Sequence, residues 1–312
     1  MIISDRFMRS TFGELILTHA RESRYILRSS DFQPCEGLSG AGEIMAIVNA
    51  LQTRNRTSSS SIFESTSRRA RPVEMAMPGV HSGAHRLLSQ LPRGSLADLG
   101  AGQGALSVWA RDAGFQTTAV DFNEGNFVAD SINFVQADLN KRLPIKDDSF
   151  DVVAALEVIE HLENSYALLR EISRILKPGG YAVVSTPNES CLAARLSYLS
   201  SGFYSDAAYV MRVPNTGDYY NPHVNCLPLP TLEYAWRRAG LKMEKFEVSR
   251  YRTLACMLWP LLAPVQWLKL ASRHHKAKHA DRETEQAVYR LMNDPRVMTG
   301  RILVFLLRKP SA

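Results

Sequence analysis

The chain of 312 residues predicts an α/β protein built on a doubly wound, mostly parallel sheet, and three observations carry that prediction. An apolar run at residues 96–99 passes directly into Gly100, Gly102 and Gly104 at alternate positions, with Asp98 inside the run. Further apolar runs at 116–121, 132–138 and 150–157 each end in an acid: Asp121, Asp138 and Glu157. From Pro78 onward these runs alternate with helical stretches, the βαβ rhythm of a parallel sheet.

Each element has its own justification. Residues 1–72 show no clear period beyond a short helical pattern at 42–51, and they end in the polar tracts 57–61 and 65–72, which reads as a poorly packed arm. A helix is expected at 79–91. It carries His81 and His85 one turn apart, and solvent is their expected environment rather than a lid over a ligand. The glycines of 100–104 allow a sharp turn and close backbone approach to a ligand. A dinucleotide loop would read G-x-G-x-x-G. Here the pattern is G-x-G-x-G beside Asp98, whose charge favours a cationic or zwitterionic ligand over a pyrophosphate. Asp121 stands about 20 residues past the first glycine, where doubly wound folds place a ribose-binding carboxylate. The sheet continues with strands at 242–250 and 301–308, after a helix at 232–239.

Together with Gln136-Ala-Asp-Leu139, Leu176-Lys-Pro-Gly-Gly180 and Ser185-Thr-Pro-Asn188, these motifs make residues 78–250 and the final strand resemble the class I S-adenosylmethionine-dependent methyltransferases. The resemblance implies a Rossmann-like sheet of seven strands, the last antiparallel between its neighbours. It also implies residue roles. Gly100, Ala101, Gly102 and Gly104 would line methionine and ribose, with Asp98 and Glu157 at the methionine end. Asp121 would hold the ribose hydroxyls, Phe122 and Leu139 would enclose the adenine above and below, and Ala137 and Asp138 would meet its edge. The domain is then expected at 73–250 plus 299–312, with 251–298 as an apolar helical insertion between strands six and seven.

Chemistry is expected at Glu157, Glu160 and His161, whose i, i+3, i+4 spacing shares one face if a helix begins there. His223 lies in a later polar loop on the same sheet edge. Two carboxylates and two imidazoles suit magnesium, manganese or zinc, and such an ion would acidify an acceptor hydroxyl. Alternatively His161 or His223 serves as general base, with Glu160 beside it. A structural reading also stands, in which Glu160 belongs to a first helical turn and His161 packs. The pattern looks like the ubiquinone-biosynthesis O-methyltransferases and, more distantly, small-RNA 2′-O-methyltransferases, though no RNA-binding module is evident and nucleic acid is not the expected partner. Tyr198, Tyr204, Tyr209, Tyr219 and Tyr220 fall where an acceptor pocket is expected.

The function expected is methyl transfer to a hydroxyl of a small-molecule, sugar or lipid-linked acceptor, the alternatives being a non-catalytic cofactor-binding scaffold or 2′-O-methylation of RNA. Composition fits a globular enzyme: 45% hydrophobic and 22% charged residues, with a net charge of +6. Cys35, Cys191, Cys226 and Cys256 lack C-x-x-C spacing, so neither a disulfide framework nor a zinc knuckle is expected. With no signal-peptide pattern, a cytoplasmic protein is expected. The stretch 254–279 opens on an apolar run, 254–270, interrupted by Pro260 and Pro264, and continues with Arg273, Lys276 and Lys278. It suits a peripheral anchor on an anionic membrane better than a span. The sequence sets no oligomeric state.

Overall fold

The structure is a computed structural model, and it describes residues 71–204, 223–276 and 282–311. The arm at 1–70, with its expected helix at 42–51, and Tyr209, Tyr219, Tyr220, Cys35 and Lys278 lie outside the described residues.

Seven strands form one sheet in the order β3-β2-β1-β4-β5-β7-β6. They are β1 (Ser95–Leu99), β2 (Gln116–Asp121), β3 (Asn133–Gln136), β4 (Phe150–Leu156), β5 (Leu176–Pro187), β6 (Lys242–Val248) and β7 (Ile302–Arg308). β1 to β5 pair in parallel, while β7 runs antiparallel to both β5 and β6. The seven-stranded sheet with β7 inserted between its neighbours is as expected.

Alternation along the strands decides the two cores. Ala97 and Leu99 of β1 and Val153 and Ala155 of β4 face one side, where they meet α3 (Ser165–Ile175) and α5 (Leu229–Arg238) through Leu169, Ile172 and Trp236. Leu96, Val152 and Ala154 face the other side and meet α1 (Val80–Leu88) and α2 (Ala105–Asp112) through Ala84, Leu87 and Leu106. α1 is shorter than expected because the chain tightens after Leu88 and then enters β1. β3 ends two residues before Asp138, which therefore sits in the following loop.

The polar motifs tie the sheet edge together. Asn188, after β5, donates from Nδ2 to the carbonyls of Val297 and Gly300 at 2.6 and 2.9 Å, joining the end of β5 to the entry of β7. Lys177 pairs with Asp151 at 2.8 Å across the β4–β5 bulge.

Between β6 and β7 lie α6 (Thr253–Lys276), α7 (Arg282–Asn293) and the short α8 (Pro295–Thr299). The prolines expected to interrupt the apolar stretch do not do so. α6 runs through Pro260 and Pro264 for 24 residues, each proline simply withdrawing one N–H from the ladder. α4 (Leu192–Ser201) packs beside it, and Leu192, Ala255, Trp259 and Met298 form a small third core. Among the described residues no helix is long and apolar enough to cross a membrane.

Candidate active site

At the C-terminal ends of β1, β2 and β4 the chain encloses a cavity of about 890 Å³. It lies where the connections leave β1 for opposite sides of the sheet, the usual ligand crevice of an open α/β fold. Gly100, Ala101 and Gly102 form its floor, and Asp98, Asp121, Phe122, Asp138, Leu139 and Glu157 all line it.

Asp121 organises the glycine loop. One carboxylate oxygen accepts the Gly102 N–H at 2.9 Å and the other accepts the Asn123 N–H at 3.0 Å. Gly100 adopts φ +73°, and a Cβ there would lie 2.5 Å from Val158 Cγ2. Asp98 is buried and accepts the Ser107 hydroxyl at 2.6 Å. Burial raises its pKa to about 6; the Ser107 hydrogen bond opposes that rise and the Asp121 charge adds to it. A cationic ligand group in the cavity would stabilise the ionised form. Asp138 is held below the usual carboxylate range, chiefly by the Asn140 N–H and by Lys141 at 3.2 Å.

Two residues assigned to the cofactor are placed elsewhere. Ala137 does not line the cavity; it packs against the main core, and its N–H donates to the Asp121 carbonyl at 2.9 Å. Its side chain falls on the inner face because β3 ends one residue earlier. Gly104 is the N-cap of α2 at φ +92°, and its Cβ direction points at Phe127 and Ala129 rather than into the cavity. Its contribution is the turn.

The segment Glu157–His161 departs from the expected helix. Glu157 has φ +53°, unusual for a residue with a Cβ. Its N–H donates to Ser185 Oγ at 2.8 Å and its carboxylate accepts the Met77 N–H. Only a short 3-10 turn, Ile159–His161, follows. The left-handed residue and the tighter turn separate Glu157 from Glu160 and His161, so the four-ligand set is reduced to three. Glu160, His161 and His223 each offer a ligand atom within 4.8 Å of the others. The His161 and His223 rings meet edge to face at 4.7 Å. The Asn225 N–H donates to the Glu160 carbonyl at 2.9 Å, and this bond brings the His223 loop alongside the turn.

Glu160 is fully buried beneath the cavity wall and does not cap a helix. Burial pushes its pKa well above the usual carboxylate range, reinforced by the Glu157 charge and opposed by Thr186 nearby. Neither Glu160 oxygen has a hydrogen bond of normal geometry among the described residues. A buried carboxylate in that state needs a proton or a cation, and with two imidazoles converging on it the donor set fits a divalent metal.

Several cavity residues carried no sequence signal. Met75, Ala76, Met77, Pro187, Arg301 and Ile302 also line the cavity. His81 and His85 do not face solvent as expected. His81 is buried and lines the cavity, and His85 stacks on Trp109 at 4.0 Å. Burial lowers both, His85 to about 4 with a further contribution from His81. An i, i+4 histidine pair reads alike on an exposed or a covered face, so only the packing against α2 and the cavity distinguishes them. Tyr198 and Tyr204 stack at 4.7 Å, but neither lines the cavity.

The profile of a methyltransferase domain matches residues 69–245, more than half of the chain. The chain belongs to that family, of the class I, S-adenosylmethionine-dependent kind. The resemblance drawn from the motifs is thereby borne out. Among curated relatives, a ubiquinone biosynthesis O-methyltransferase of Caulobacter vibrioides is 33% identical over 136 residues, 40% of this chain and 52% of that one. Another of the same name, from Xanthomonas euvesicatoria, is 28% identical over 165 residues, 50% of this chain and 65% of that one. The chain thus spans about half the length of the first of these relatives. A SAM-dependent methyltransferase structure from Archaeoglobus fulgidus aligns over 72% of this chain and 90% of its own, with a TM-score of 0.45 and 17% identity. The fold assignment rests on the strand order rather than on that likeness.

Proposed function

We propose that this methyltransferase domain transfers a methyl group from S-adenosylmethionine to a hydroxyl oxygen of a small-molecule, sugar or lipid-linked acceptor. The observation that carries the reading is the Glu160, His161 and His223 cluster at the wall of a cofactor-sized cavity. The donor is already electrophilic, so the protein's task is to align the acceptor and receive its proton. O-methyltransferase relatives support oxygen as the accepting atom.

The chain's own residues divide the work. Asp121 and the glycine loop seat the ribose, while Asp98 meets the cationic methionine end. His161 and His223 stand at the wall where an acceptor hydroxyl would approach. As the acceptor oxygen takes the methyl carbon, the carbon–sulfur bond breaks, its electron pair stays on sulfur, and the hydroxyl proton passes to an imidazole. Glu160 stabilises the imidazolium that results. Glu160, His161 and His223 also fit a divalent ion, which would supply Lewis-acid polarisation of the same hydroxyl.

Calorimetric titration with S-adenosylmethionine, with EDTA and then with added magnesium, manganese or zinc, tests the reading alongside elemental analysis. Cofactor binding, followed by methyl transfer to a hydroxyl in an acceptor panel, is the expected result. Failure to bind the cofactor would overturn the reading, and binding with no transfer to any acceptor would return the chain to a scaffold role. Transfer only to nitrogen or carbon acceptors would overturn the choice of oxygen.

A further inference from the structure

α6 is apolar on both sides, which a helix at a protein surface ordinarily is not. Ala255 and Trp259 are buried in the third core, while Met257, Leu261, Val265 and Leu268 form the opposite stripe and are 59–74% exposed. α4 contacts α6 and extends the exposed area with Leu196 and Leu199. Contiguous apolar surface of this kind marks an interaction site.

Charge decides the occupant. The 24 residues of α6 and the 10 of α4 contain no Asp or Glu, and their only charged side chains are Arg195, Lys269, Arg273 and Lys276. An apolar stripe on a helix whose sequence carries cations and no acid complements an anionic lipid surface. A second copy would offer no carboxylate to those cations from its own α6 and α4. Trp267, exposed next to Leu268 at the stripe's end and two residues before Lys269, has the amphipathic ring favoured at a headgroup boundary. A second cavity of about 330 Å³ lies against α6, where Trp259, Leu262, Val265 and Met292 share the lining with the polar Arg195, Gln266 and Lys269.

Topology places this face beside the active site. β6 runs parallel to β5, so α6 leaves the sheet at the edge where the large cavity opens. Tyr251, just before α6, bridges to Gly300, whose neighbours Arg301 and Ile302 line that cavity.

We propose that α6, with α4 beside it, seats the protein on an anionic membrane surface. The proposal goes beyond the methyl-transfer reading and does not depend on it, since docking is read without turnover.

The test is flotation of the full chain with phosphatidylcholine vesicles, with and without phosphatidylglycerol. Binding is expected only when the anionic lipid is present. It should weaken at least about tenfold in a Leu261→Asp, Val265→Asp protein, an effect the size of one or two cationic anchoring contacts. Both positions are exposed, and unchanged thermal stability would show that the variant folds. Lys269→Glu alone provides a second variant that leaves the apolar stripe intact. The tryptophan fluorescence shift on adding vesicles should disappear in a Trp267→Phe protein. No binding to anionic vesicles, or binding indifferent to both the Asp pair and Lys269→Glu, would overturn the proposal. So would a dimer in light scattering that Leu261→Asp dissociates in a protein without vesicle affinity, which would give the face to a second copy.

Discussion

Replacing Asp98 by Asn should make the ligand-free protein more stable while it loses affinity for its cofactor. Asp98 is buried, with its carboxylate held mainly by Ser107, and its pKa rises from 3.8 to about 6 on folding. A raised acid contributes stability fully below its unfolded pKa and loses it as pH climbs through the folded one. The ionised carboxylate therefore works against the fold at neutral pH, by roughly 3 kcal/mol for about two units at 1.36 kcal/mol each. An amide keeps the shape and still accepts the Ser107 hydroxyl, but it carries no charge to desolvate. Urea unfolding across pH 4 to 8 should show the Asp98→Asn variant gaining on the parent between pH 3.8 and about 6 and holding a constant advantage above it. For a domain of this size the thermal midpoint would move by roughly 6–12 °C. In the parent, S-adenosylmethionine affinity should fall as pH drops below about 6, because protonation removes the anion that faces its cationic end. A variant no more stable at pH 8, or a stability difference independent of pH, would refute the reasoning.

Three further outcomes are expected. Asp121→Ala should weaken cofactor binding by roughly 10- to 100-fold, the worth of charge-assisted hydrogen bonds, with the circular dichroism spectrum unchanged; an unaltered calorimetric affinity would remove Asp121 from the ribose site. Gly104→Ala should cost about 1–2 kcal/mol from its left-handed backbone alone, plus the contacts at 2.7 Å with Ala129 and Phe127, so an unchanged urea midpoint would contradict the geometry. Glu160→Gln and His161→Ala should each lower divalent-metal content by elemental analysis and abolish turnover while sparing S-adenosylmethionine affinity. Full metal content and activity in both variants would dissolve the cluster's assigned role.

The crevice was legible before any coordinates because its requirements are local. Strands reveal themselves by apolar runs, the turn by glycines that must reach positive φ, and the ribose site by an acid at a strand end. Even there the reading erred where one residue matters. Ala137 was assigned to the cofactor site, and the structure packs its side chain against the main core instead.

What the sequence alone determined, then, was the run of strands and helices, the glycine turn and the acids Asp98, Asp121 and Asp138 at or near strand ends, since backbone periodicity and turn chemistry act over neighbouring residues. The antiparallel last strand was implied by the family resemblance, and the strand order was shown by the structure. Tertiary structure decided which polar groups meet. The left-handed Glu157 and a 3-10 turn in place of an α-helix remove Glu157 from the cluster, and the Asn225–Glu160 bond brings His223 into it from a distant loop. His81 became buried and His85 half-buried, and one side of α6 stayed uncovered, for the same reason. Burial is a property of what packs against a residue, and no spacing along the chain encodes it.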